Sequence, residues 1–319
     1  MLAAAVLAAA VSLGLPAGEE AAVSKDSAFH TLSFHVGMRA DDVAAHGEKP
    51  NAKCRKSGSC DSPGTWHSQA HQDTIVFNAL LPQKKNGYFV DLAANHPISK
   101  SNTRALERDH GWRGLCIDGN EDFLLQLVQR RKCTVVGAIV SSDDDGDVMY
   151  RHWHGASQDL HGGTSGTWHH ALSGIVGFDN SEGRNDTMAK VHGQAGMKSG
   201  FVDKKGVSVR LEHLLRVHGA PKVIDYLSLD VEGAEESVMR DFPFGDFTFH
   251  AVTIERPNAN LMALLEKNGY VFFGEVGSFG ERIFAHESLP GGIAAAKTRY
   301  DQEVRRFGQK THAKGRRSA

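Results

Sequence analysis

The sequence predicts an α/β domain built on a mostly parallel sheet and closed by an antiparallel β-hairpin. Two observations carry that reading. From about Ser68 onward, short apolar runs alternate with segments of helical period. Near the end, two strand-like runs, Tyr270 to Val276 and Arg282 to His286, are separated only by Gly277-Ser278-Phe279-Gly280. No helical stretch lies between them, which is a hairpin signal.

Taken in order, Tyr88-Phe89-Val90-Asp91-Leu92 reads as the first buried strand. Asn102 to His110 reads as a helix stopped by Gly111, and Gly114 to Asp118 as the second strand. Glu121 to Arg131 is helical, with Phe123, Leu124, Leu127 and Val128 on one face. Thr134 to Val140 is expected as one continuous third strand. Val209 to His218 is a helix, Ile224 to Leu229 a strand, and Glu232 to Arg240 a short helix. Phe249 to Ile254 is a further strand, and Asn258 to Lys267 a helix ended by Asn268-Gly269.

Composition narrows the function classes. The chain has 319 residues, 38 acidic and 36 basic side chains, and a formal charge of −2. That near-neutral balance argues against a nucleic-acid binder. Residues 2–15 are almost entirely Ala, Val and Leu, too short to span a bilayer but suited to a signal-peptide core or anchor over residues 1–18. This favours entry to the secretory pathway, with a cytoplasmic chain as the alternative. The Asn185-Asp186-Thr187 glycosylation triplet and the even count of 4 cysteines fit the secretory reading. Three cysteine pairings exist, and Cys54 with Cys60 plus Cys116 with Cys133 is a plausible one. Residues 19–66 read as an irregular extension, and residues 67–290 as the main domain.

Within that domain, residues 141–207 break the pattern with many Gly and with His152, His154, His161, His169, His170 and His192. A short strand near Val148 to His152 is expected there, under a mobile cap over the site. Residues 291–319 form a basic tail that reads as a solvated or fraying helix.

Ligands of open parallel sheets bind beyond the carboxyl ends of the strands. Those ends carry Asp91, followed by Ala93, Ala94 and Asn95; Asp118, followed by Gly119 and Asn120; Ala138 and Ile139; Asp230 and Glu232; and Glu255. An acid after the second strand can accept both hydroxyls of a ribose. The chain has no Gly-x-Gly-x-x-Gly and no Walker lysine. The pattern therefore fits a nucleoside without a phosphate cradle, such as S-adenosylmethionine. It disfavours a dehydrogenase.

The run Phe89 to Asn95, Ser101-Asn102-Thr103, Leu106-Glu107, Gly111 to Asp118 and Tyr226 to Glu235 resembles the FkbM-type methyltransferases. Ser68-Gln69, Gln72-Asp73, Thr253 to Pro257 and Asn268-Gly269-Tyr270 extend the likeness over roughly residues 66–287. The resemblance implies a seven-stranded, Rossmann-like class I methyltransferase sheet, S-adenosylmethionine as donor, and O-methylation of a sugar, glycan or small-molecule hydroxyl. Two positions depart from the pattern. Ala93 stands where Gly is common, so it is expected to keep φ < 0. Asp118-Gly119 replaces the commoner Glu-Pro, so ribose contact would be shared with Asn120.

By position, Asp91 and Asn95 should meet the methionine end of the donor, and Ala93 and Asn102 are also expected to contact it. Asp118 and Asn120 should meet the ribose, and Ala138 and Ile139 the adenine. Asp230 is expected at both donor and acceptor, as base or positioning group, with Glu232 and Glu255 as neighbouring carboxylates. These carboxylates with histidines of the insertion could hold a divalent metal, though no ligand spacing is diagnostic and no metal ligand is assigned. The competing reading is a non-catalytic, secreted or lumenal interaction protein that keeps the fold.

Overall fold

The computed structural model describes residues 32–33, 61–154, 173–178 and 200–315. The residues 1–18 segment, Cys54 and Cys60, the Asn185 triplet and most of the insertion's histidines lie outside them.

The main sheet has the order β1-β4-β3-β2-β9-β10-β12-β11. Its members are β1 (Leu32–Ser33), β2 (Tyr88–Leu92), β3 (Arg113–Asp118), β4 (Thr134–Gly137), β9 (Val223–Leu229), β10 (Thr248–Glu255), β11 (Tyr270–Val276) and β12 (Glu281–His286). β4, β3, β2, β9 and β10 run parallel. β12 pairs antiparallel with both β10 and β11. The chain builds outward from β2 to one edge, then returns to β9 and builds to the other. The crevice between β2 and β9 is therefore the switch point, where the loops leaving the two strands diverge.

The strands read as continuous apolar runs because both faces are covered. Phe89 and Val90 point to opposite sides and join two separate buried clusters. The first cluster receives α1 (Gln72–Ile75, widening to π-type bonding over Val76–Leu80), α3 (Glu121–Arg130) and α7 (Ile293–Gly315). The second receives α4 (Leu211–Val217), α5 (Glu235–Met239) and α6 (Ala259–Lys267). Caps place the helix starts. The side chains of Asn120 and Asn258 accept from the backbone N–H of Asp122 and Leu261, opening α3 and α6. α2 (Arg104–His110) ends on Gly111 at φ 70. Among the described residues no helix is long and apolar enough to cross a membrane.

Cys116 on β3 and Cys133 just before β4 form a disulfide with a Cα separation of 5.9 Å. Both residues lie in the first cluster.

The expected third strand is broken. β4 stops at Gly137, and Ala138 turns its N–H back to the Asp118 carbonyl at 3.0 Å. The chain then leaves the main sheet as β5 (Ile139–Ser141), which pairs with β8 (Gly200–Arg210) in a second sheet of order β5-β8-β6-β7. β6 (Asp147–His154) and β7 (Gly174–Ile175) complete it. The strand expected near Val148 to His152 is β6. It alternates as a half-buried strand should, with Tyr150 and His152 buried and Met149 exposed.

Candidate active site

Five non-glycine residues with left-handed backbone, Ala93 (φ 60), Asn95 (φ 55), Lys100 (φ 63), Glu232 (φ 56) and Arg256 (φ 47), follow the carboxyl ends of β2, β9 and β10. Such strain collects where surrounding structure over-determines a functional loop. The expectation that Ala93 keeps φ < 0 is overturned. The tight turn after β2 forces the glycine-like conformation on a residue with a Cβ, at about 1–2 kcal/mol.

A cavity opens above these turns. Ala93, Asn95, Asp118 and Ile139 line it, with Phe123 and Val140 beside them. Asp118 is 4% exposed. Its two oxygens accept the backbone N–H of Asn95 and Asn120, each at 2.7 Å. Burial nevertheless outweighs those bonds and pushes its pKa up to about 6. Asn120 lies against the wall and not in the lining. Its oxygen caps α3, and its Nδ2 donates to Ser173 Oγ at 3.0 Å.

Asp91 is buried near the carboxyl end of the neighbouring strand β2. The Thr103 hydroxyl donates to it at 2.5 Å, and the Arg131 guanidinium donates in turn to Thr103 at 2.7 Å. Burial raises its proton affinity, against the pull of Arg131. Asn102 bridges the switch point, its Nδ2 donating to Ser228 Oγ at 3.0 Å.

The other half of the crevice holds carboxyls. Asp230, Glu232 and Glu255 can each bring one oxygen within 4.8 Å of the others. Glu281 stands directly opposite Glu255 across the β10/β12 ladder. Arg256 donates to Glu232 at 3.0 Å and to Glu255. The charge of Lys100 also bears on Asp230 and Glu232. Four carboxyls thus face two cations. Burial first, then the charge of Asp230, raises the proton affinity of both Glu255 and Glu281. Arg256 is paired with Glu255 and Glu232, so two cations offset only part of the charge of four carboxyls. Glu255 also hydrogen-bonds Asp230. Among the described residues no histidine joins these carboxyls. The Asp-Val-Glu-Gly turn itself is held by Glu235, whose Oε1 accepts from Val231 and Gly233 N–H, both at 3.1 Å.

Glu281, Arg256, Gln72 and Tyr150 also belong to the crevice, although the strand-end pattern does not single them out. The hairpin register alone places Glu281 beside Glu255, so that residue was within reach. Gln72 hydrogen-bonds Glu281 from α1, a contact no local pattern announces.

The family model described as the methyltransferase FkbM domain matches residues 91–272, more than half of the chain. No curated protein and no solved structure gives a match. The matched stretch runs from Asp91 at the end of β2 to Phe272 in β11, so it takes in both halves of the crevice. The chain belongs to the FkbM methyltransferase family.

Proposed function

We propose that this chain is an S-adenosylmethionine-dependent O-methyltransferase acting on a hydroxyl of a sugar, glycan or small molecule. The observation that carries the reading is the division of one crevice into two chemically distinct halves. On one side a cavity is floored by a buried carboxylate, and on the other four carboxyls cluster around two cations, with the proton affinity of Glu255 and Glu281 raised.

The cavity suits a nucleoside. Each oxygen of Asp118 accepts one backbone N–H and keeps a lone pair, enough for two ribose hydroxyls. The apolar walls at Phe123, Ile139 and Val140 fit a purine, and no phosphate cradle is needed. Bound S-adenosylmethionine supplies an electrophilic sulfonium methyl. The chain's residues do the rest. Ala93 and Asn95 bring backbone close to the ligand. Asp230 orients the acceptor oxygen for in-line attack, since a positioned oxygen near 3 Å is the main requirement of such a displacement. An ordinary carboxylate is a weak base toward a sugar hydroxyl. Burial and the neighbouring charge of Asp230 raise the proton affinity of Glu255 and Glu281, which makes them the stronger proton acceptors beside it.

We also place the protein in an oxidising, secretory compartment. The buried Cys116–Cys133 bond supports this, because disulfides persist where thiol buffers are weak.

Calorimetric titration with S-adenosylhomocysteine tests the donor site. Binding by the wild-type chain that Asp118→Ala weakens at least tenfold is the expected result. No binding by the folded wild type refutes the donor assignment. With donor binding in hand, labelled methyl transfer to glycan and small hydroxyl acceptors tests the reaction. Asp230→Asn should lose about 10²-fold or more in turnover at saturating donor. Donor binding without transfer to any acceptor would favour the non-catalytic reading.

A further inference from the structure

The strands that follow β5 are not a remote appendage, because they build one wall of the nucleoside cavity. Tyr150 of β6 and Ser173, Gly174 and Ile175 at β7 line the cavity together with Asp118. Tyr150 and Ile175 are directly paired across the β6/β7 ladder and pack with Ala234. The Tyr150 ring lies on the Asp118-Gly119-Asn120 turn. A Cβ added to Gly119 would come within 3.0 Å of Tyr150 Cζ and 3.1 Å of its hydroxyl oxygen. That close approach is a physical reason for the departure noted at this position, where a bulkier residue than Gly119 would displace the ring.

The wall is fastened at three points. The Tyr150 hydroxyl hydrogen-bonds Ser173, which also accepts from Asn120. His152, two residues along β6 on the same face, lies 3.3 Å from Asp122 at the start of α3. Lys204 on the paired strand β8 lies 3.1 Å from His152 Nδ1 and 3.7 Å from Glu121, also at the start of α3.

We infer that Tyr150 is a positioning residue for the adenosine end of the donor, its ring packing against the nucleoside and its hydroxyl reaching the ribose edge beside Asp118. This rests on the donor reading above and adds to it a residue from outside the strand ends. A phenol supplies both a donor and an acceptor, and an aromatic face is a common partner of a nucleobase. By covering Asp118 the ring also excludes water, which strengthens the carboxylate's hydrogen bonds to a ligand.

The test uses the full chain and calorimetry with two probes, S-adenosylhomocysteine and adenosine. Tyr150→Ala should weaken both by about 10- to 100-fold, as loss of one aromatic stacking partner does. An equal factor for the two probes with an unchanged urea unfolding midpoint locates the effect at the nucleoside end, since a general loosening of the fold would lower the midpoint as well. Tyr150→Phe should weaken both by about 3- to 10-fold. Gly119→Ala should weaken both probes in the wild-type background and cost little more once Tyr150→Ala has emptied the space. If Tyr150→Ala fails to fold, Tyr150→Phe and Gly119→Ala still decide. Wild-type binding that these variants leave unchanged or tighten overturns the inference, and marks the ring as a plug or a bystander. No binding by the wild type overturns the donor reading itself, and this inference with it.

Discussion

Glu107 and Glu255 are both buried glutamates at the margins of the same sheet, at 4% and 7% exposure, yet they are treated in opposite ways. Glu107 is surrounded by donors. Arg131 Nε and Arg104 Nη1 each reach Oε2 at 2.9 Å, and the N–H groups of Lys132 and Cys133 reach Oε1 at 2.8 and 2.7 Å. Burial alone would raise its proton affinity, but the two guanidinium charges overturn that and hold the carboxylate below its usual range. Glu255 sits among like charges, and its proton affinity rises. Burial therefore does not decide what a carboxyl does; the balance of donors around it does. The first arrangement ties α2 to the approach to β4 and leaves little to offer a substrate. The second leaves carboxyls with raised proton affinity facing the crevice, as an acid–base site needs.

The largest effect should come from breaking the satisfied network. Glu107→Ala strands the Arg131 charge, itself only 4% exposed, and two backbone N–H groups. A loss of about 3–5 kcal/mol in urea unfolding is expected. A loss under about 1 kcal/mol would show that the network is not what holds α2.

Asp118 sharpens the comparison through pH. Its folded pKa is about 6, against an ordinary aspartate value of 3.8. The folded state therefore keeps a proton that the unfolded chain has lost, which favours folding at low pH. This contribution is complete below the unfolded pKa and disappears as pH rises through about 6. Asp118→Asn lacks the group, so its stability relative to wild type should improve by roughly 2.4 kcal/mol between pH 4 and pH 7. A flat difference between those pH values would contradict the raised pKa.

Smaller effects follow on the unsatisfied side. Glu255→Gln replaces a carboxyl that is already protonated by a neutral group of equal size. Stability at pH 7 should change by less than about 1 kcal/mol, in contrast to Glu107→Ala. Ala93→Gly should stabilise by about 0.5 kcal/mol, the relief of left-handed strain exceeding the added freedom of the unfolded chain. Destabilisation by Ala93→Gly would mean that the methyl group contributes packing that outweighs its backbone cost.

Much of this was legible in the sequence, for physical reasons. A sheet covered on both faces writes its strands as apolar runs, so β2, β3, β9, β10 and β11 can be read within a residue or two. The polar residues that end those runs mark the crevice, because strand ends are where parallel sheets expose backbone and ligands. What escaped was set by pairing between distant segments. The run from Thr134 to Val140 is mostly apolar, and Gly137 alone does not say that Ala138 will turn and hand β5 to a different sheet. β6 and β8 carry alternation, but their partners lie 50 or so residues apart along the chain, across a stretch too rich in Gly and His to be read as sheet. Tyr150 reads as an ordinary strand aromatic until its ring is found on Gly119. Ala93 escaped because composition cannot report a backbone angle.

The central claim is that the Asp230 group holds a proton at neutral pH while the Glu107 network does not. Carboxyl ¹³C shifts of glutamate-labelled protein, assigned with Glu255→Gln and Glu107→Gln, measure this directly. The Glu255 resonance is expected to remain that of a protonated carboxyl through pH 7, and the Glu107 resonance to remain ionised to the acid limit of the folded state. A Glu255 signal that titrates below pH 5, alongside Glu107, would contradict it.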